Sequence, residues 1–289
     1  MILGYGFAVL AALASGSGSI LESLGIRRAR AFGGTSMDLV NLRSQPIYFL
    51  GIAVDLLGFV FAAIALRQLP LFLVQSLLAF SVGVTATISA FLGTRLARPG
   101  WVALGLGAVG LVLLGVSADP GPARPLPPHW RWLLLGLALP IASLAFYAQR
   151  RGGRRAAALL AFGAGLGFCV VGVSARTLES RDAVWKLVLE PSVWAILANG
   201  LVAAVLFAMA LQKTGATANT AILFTTNTVL SSLVGVLYLD DRVRPGFIVA
   251  AVVGFVCAIA GAVGTAHYAA IATHQGEAPT REKADQPKE

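Results

Sequence analysis

Charged residues are scarce in this chain. Lys, Arg, Asp and Glu make up 12% of its 289 residues, about half the share of a soluble domain. A water-facing surface cannot be built from so few, which excludes an ordinary soluble globule. Cysteine is nearly absent. Cys169 and Cys257 stand in separate apolar runs with no metal-type spacing. That excludes a disulfide framework and a cysteine metal knot, and leaves two small packed side chains. The three histidines, His129, His267 and His274, fall in loops or at the end of the last apolar run. A His-Glu zinc helix is therefore missing. No basic segment precedes the first apolar run, so a cleaved signal peptide is not expected and the first helix is retained.

What is present is apolar. Hydrophobic residues make up 57% of the chain, and they come in long runs. This predicts an all-α polytopic membrane protein, because a run of about 20 apolar residues crosses the hydrocarbon as a helix. Nine spans are read at 2–24, 46–66, 70–94, 100–118, 131–149, 156–176, 192–212, 216–239 and 246–268. The net charge of +9 sits in short loops between them, including Arg27, Arg28, Arg30 and Arg43 after the first span and Arg150–Arg155 (RRGGRR) after the fifth. Basic loops mark the cytoplasmic side. They predict an N-terminus outside, a C-terminus inside and the cell membrane as location. The bilayer is thus the expected partner, and nucleic acid is not.

Asp119–Pro128 (DPGPARPLPP) is the strongest linker signal. It divides the chain into a first half (1–118), a linker (119–130) and a second half (131–268). Residues 269–289 are charged and poor in apolar side chains, which predicts a disordered cytoplasmic tail. Pro140 is expected to kink the fifth span. The sixth span shows no polar feature beyond Cys169.

One carboxylate stands near the middle of a span. Asp55 lies in PIYFLGIAVDLLGFVFAAIAL, and the nearest bases in sequence, Arg43 and Arg67, are each about 18 Å away along a helix axis. An ionised Asp at the bilayer centre costs roughly 2.5–3.5 kcal/mol on insertion scales. Protonation or a bound cation neutralises such a group when no base does. Asp55 is accordingly the candidate coupling site, and the candidate metal ligand if the ion is a metal; a structural hydrogen bond to a neighbouring helix is the alternative. Glu22, on one face with Ser15 and Ser19, is a second carboxylate nearer a span end.

Two spans are polar. The third carries Gln75, Ser81, Thr85 and Ser89, the last three on one seam. The eighth carries Asn219, Thr220, Asn227 and Ser231, with Thr220, Asn227 and Ser231 on one face. Asn199 lies in the seventh. Buried amides and hydroxyls of this kind line a cavity or bond a neighbouring helix. AFLGTRLARPGW (90–101) echoes VLYLDDRVRPGF (236–247), and ALRQ (65–68) echoes ALQK (210–213). Spans two to four then match spans seven to nine at an offset of five. An odd offset reverses the second copy, which gives the inverted repeat common in secondary transporters. In this scheme Asp55, Asn199 and the two polar spans meet near the midplane.

Leu69–Val82 (LPLFLVQSLLAFSV), with the Thr94-Arg95-Leu96 turn and the Gly-rich span after it, resembles the drug/metabolite transporter superfamily. Pro70, Leu73, Val74, Ala79, Ser81 and Val82 are similar to the pattern of its NIPA-type magnesium transporter branch. The resemblance implies a transporter of a cation, Mg²⁺ among them, or of a small solute, with H⁺ or Mg²⁺ as coupling or transported ion and no bound cofactor. Phe59 and Thr94 stand where that branch has acids. An intramembrane enzyme is not expected, since Ser17 in SGSGS is the nearest thing to a nucleophile turn. A non-catalytic membrane subunit or a flippase for a lipid-linked substrate is the alternative. The Gly-rich faces pack either within one chain or between two, which leaves a homodimer open.

Overall fold

A computed structural model describes residues 2–31, 46–91, 96–150, 153–178, 189–213 and 216–282. Among these, nine helical spans are long and apolar enough to cross a bilayer. The chain is an all-α polytopic membrane protein. Helices are the consequence of the solvent: in hydrocarbon every backbone N–H and C=O must be satisfied within its own segment. Spans one and two are α1 (Ile2–Ala31) and α2 (Pro46–Leu66). Span three is α3 (Leu71–Ala79) and α4 (Ser81–Phe91), separated only at Phe80. Span four is α5 (Arg98–Ser117), and span five is α6 (Pro128–Gly136) with α7 (Ala138–Gln149). Spans six to nine are α8 (Gly153–Arg176), α9 (Pro191–Lys213), α10 (Ala216–Tyr238) and α11 (Ile248–Glu282). Proline sits at the first turn of α5 and α6, where its missing N–H costs nothing. The expected break in span five falls at Leu137, three residues before Pro140, whose ring cannot continue the hydrogen-bond ladder.

Packing is set by small residues. A Cβ at Gly261 would strike the Gly107 backbone, and one at Gly110 would strike Ala258. The axes of α5 and α11 therefore approach as closely as backbones allow. Gly18, Gly51 and Gly58 do the same for α1 and α2. The closest helix pairs are α1 with α2, α5 with α11, α8 with α9, and α8 with α10. The interior belongs to α8, the most buried span, where glycines and alanines let neighbours crowd in from several sides.

The Pro-rich segment does not hang loose between halves. Ala118–Asp119 (β1) pairs antiparallel with Arg242–Val243 (β2). The Gly121 N–H donates to the Gln68 carbonyl at 3.0 Å and the Arg124 N–H to the Leu239 carbonyl at 2.9 Å. The linker thus ties a turn of the first half to a turn of the second. The last helix, α11, runs to Glu282. Residues 283–289 lie outside the described residues, as does Thr94.

Candidate functional site

A cavity of about 830 Å³ runs between α1, α2, α3, α4, α8, α9, α10 and α11. Asp55 and Glu22 both line it. They come from adjoining helices brought together by glycine: a Cβ at Gly51 would meet Glu22, and one at Gly18 would meet Asp55. Gly51 precedes Asp55 by one turn, so the two carboxylates are stacked about one turn apart along the α1–α2 seam. Ser15 donates its hydroxyl to Asp55 Oδ1 at 2.8 Å. That neutral donor supports the carboxylate without discharging it.

Deeper in, the two polar spans meet. Asn227 Nδ2 donates to Gln75 Oε1 at 3.1 Å, and Ser231 Oγ donates to Asn227 Oδ1 at 3.2 Å. Gln75 is 3% exposed. The amide fits there because position 172 is glycine; any Cβ would collide with the Gln75 Nε2. Ser81, Thr85 and Ser89 continue the polar lining, and Thr85 Oγ1 donates to the Gly16 carbonyl at 3.0 Å. Phe59, Phe168, Phe207 and Phe224 supply the apolar part.

Not every expected residue reaches this cavity. Asn199 is fully buried and spends its Nδ2 on the Leu134 and Ala195 carbonyls, at 3.1 and 2.9 Å. It clamps span seven to span five instead of joining Asp55. Asn219 donates to the Ala210 carbonyl at 2.9 Å and secures the turn between α9 and α10. Ser231 lies behind Asn227, outside the lining, and acts by orienting that amide. Ser17 donates to the Leu13 and Ala14 carbonyls within α1. Among the described residues no three His, Cys, Asp or Glu side chains cluster as a metal site.

One end of the cavity is lined by Leu66 and Ala175. Immediately beyond them lies a charged knot that sequence reading missed. Arg176 Nη2 donates to Asp241 Oδ1 at 2.6 Å, with both side chains almost wholly buried. Arg176 also donates to the Leu66 and Gly121 carbonyls. Asp241 Oδ2 accepts the Leu71 N–H at 2.6 Å, capping the start of α3 after Pro70. The end of α2, the start of α3 and the linker are thus all held by two side chains. The turn that presents Asp241 needs Asp240 at φ 61°, a left-handed conformation Asp tolerates better than most residues. It also needs Gly235, where a Cβ would crowd Asp241 Oδ2. Neighbouring Asp240 is exposed, and Arg242 beside it holds its carboxyl below the ordinary aspartate value. The only sequence signal was DDR after span eight, which placed the acids but not their partner.

Comparison with known proteins adds little chemistry. No family profile matches the chain, and no solved structure does. An uncharacterized protein of Corynebacterium glutamicum is 31% identical over 140 residues, 46% of this chain and 48% of that protein. The chain spans about half the length of that relative.

Proposed function

We propose that this membrane protein is a transporter of the drug/metabolite transporter type, moving a cation or small solute across the cell membrane by alternating access. The observation that carries the reading is the cavity itself. It holds a mid-span carboxylate, draws its lining from both halves of the chain, and is lined at Leu66 and Ala175 by neighbours of a buried ion pair. A scaffold has no need of such a cavity, since an acid in hydrocarbon is costly unless it meets water, a proton or a ligand.

The packing pattern supports the inverted repeat. Exchanging spans one, two, three and four for six, seven, eight and nine maps the α1–α2 contact onto α8–α9. It maps the contact of span one with span three onto that of six with eight. Spans three and eight, and four and nine, pair across the exchange. The basic loops favour an outer N-terminus. On that orientation the Arg176–Asp241 knot is an outer plug, and the cavity extends toward the cytoplasm. Asp55 then takes the coupling proton or the transported cation, with Glu22 as its neighbour. Gln75 and Asn227 would contact the cargo. Mg²⁺ keeps most of its waters and needs few protein oxygens, so the two acids could serve it as a hydrated ion.

The test is flux in proteoliposomes, driven by a proton or cation gradient, with wild type and Asp55→Asn. The variant is expected to lose gradient-driven flux while keeping the wild-type elution profile. Unchanged flux of an identified solute in Asp55→Asn removes Asp55 from the mechanism.

A further inference from the structure

A second hollow lies on the other side of span six from the central cavity. Its volume is about 500 Å³, and spans five, six and eight form its walls. Span six divides the two spaces: Gly172 and Ala175 line the cavity, while Val170 and Val173 line the hollow. Span five packs mainly on spans six and seven, and span eight on spans three, six and nine. A groove is left between five and eight, with Pro140 and Tyr238, both exposed, on its rim. We propose that this groove holds one acyl chain of an anionic phospholipid, whose phosphate sits at Arg124. The site is separate from the central cavity and does not depend on the transporter reading.

The lining and its length select the occupant. Leu, Val, Ile, Pro and Trp side chains make up most of the wall, and among the described residues no charged side chain joins them. An empty groove forfeits the dispersion contacts its lining could make. Inside a bilayer the surrounding solvent is lipid tails, so a tail fills it. The lining runs along span five from Trp130 to Leu144, about 21 Å at 1.5 Å per residue. One leaflet is about 15 Å of hydrocarbon, half the bilayer core, and one acyl chain deep. The groove therefore takes a whole chain from a single leaflet.

One end of the groove is built for a headgroup. The Trp130 and Tyr238 rings meet there at 5.5 Å between centroids. Trp and Tyr gather where hydrocarbon gives way to headgroups. At the same end the Arg124 N–H donates to the carbonyl of Leu239, a lining residue, and the Arg124 side chain is exposed. Arg242 is matched by Asp240 in an exposed pair, whereas Arg124 joins no salt bridge among the described residues. A lipid phosphate supplies its counter-charge. Any tail packs in the groove about equally well, so the contact with Arg124 decides which lipid stays.

The experiment uses the purified full chain in phosphatidylcholine nanodiscs containing phosphatidylglycerol with a diazirine on one tail. After photolysis, peptide mass spectrometry is expected to find adducts on Val170, Val173 and Val234 in excess over the outward faces of spans two and four. Val170→Trp fills the groove and is expected to remove these adducts while those elsewhere persist. Arg124→Gln, a change at an exposed side chain, is expected to lower them by about fivefold, as loss of one basic contact to an anionic lipid implies. It covers the case that Val170→Trp fails to fold. Adducts spread evenly over the lipid-facing spans, or unchanged in Val170→Trp, overturn the proposal. Equal capture of phosphatidylcholine carrying the same diazirine, or no effect of Arg124→Gln, overturns the anionic headgroup and with it the ligand class. Disulfide-linked dimers of Pro140→Cys, made with Cys169 and Cys257 replaced by Ala, together with a groove free of lipid adducts, assign the groove to a second copy of the chain and also overturn it.

Discussion

Arg176 and Asp241 meet 2.6 Å apart in the interior, where the ends of spans two, three and six and the turn after span eight converge. Gln75 lies one turn along the same helix whose first N–H, that of Leu71, is held by Asp241. The ion pair and the Gln75 amide are thus linked through one turn of α3. Removing either charge leaves the other buried and unmatched, which costs about 3–5 kcal/mol. Arg176→Met and Asp241→Asn are each expected to lower the melting temperature strongly. The double variant is expected to recover part of the loss, because neither charge is then stranded. Asp240→Asn, on the exposed pair with Arg242, is the control and is expected to change little. If the knot is a gate, a cysteine at Leu66, with Cys169 and Cys257 replaced by Ala, is labelled faster by an impermeant thiol reagent in the double variant. Equal labelling assigns the pair to stability alone.

Gln75 and Asn199 look alike in sequence and differ in structure. Gly172→Ala places a methyl group where the Gln75 amide now sits, and is expected to break the Gln75–Asn227 contact. Ligand affinity or transport falls, with a stability cost of about 1–3 kcal/mol for overpacking. Asn199→Ala removes hydrogen bonds from span seven to spans five and seven, worth about 0.6 kcal/mol each on membrane scales. It is expected to lower the melting temperature slightly and leave affinity unchanged. A large affinity loss in Asn199→Ala would place that residue back on the path.

Spans four and nine have no slack at Gly107 and Gly261. Gly261→Ala is expected to push the two helices apart and destabilise by about 1–3 kcal/mol. Gly105→Ala, on the same helix as Gly107 with nothing within 4 Å of the added methyl, is expected to be neutral. Thermal unfolding in detergent compares the two. Equal stability of both variants would show that the interface tolerates separation.

The sequence alone settled the number of spans and nearly all their ends, because bilayer thickness and backbone hydrogen bonding act on each segment by itself. It also exposed Asp55, since one acid in an apolar run is visible without any neighbour. What it left open is whatever depends on how helices are rotated about their axes. Gln75, Asn227 and Asn199 are equally polar letters in apolar helices. Only packing turned the first two toward the cavity and the third toward a carbonyl on span five. The sixth span looked featureless because its role is carried by what it lacks: Gly172 makes room for Gln75, and its small residues make it the interior helix. Arg176 and Asp241 read as loop charges, each at the edge of an apolar run. Tertiary structure joined them because turns far apart in sequence share one end of the bundle. There a charge can stay buried only opposite its complement.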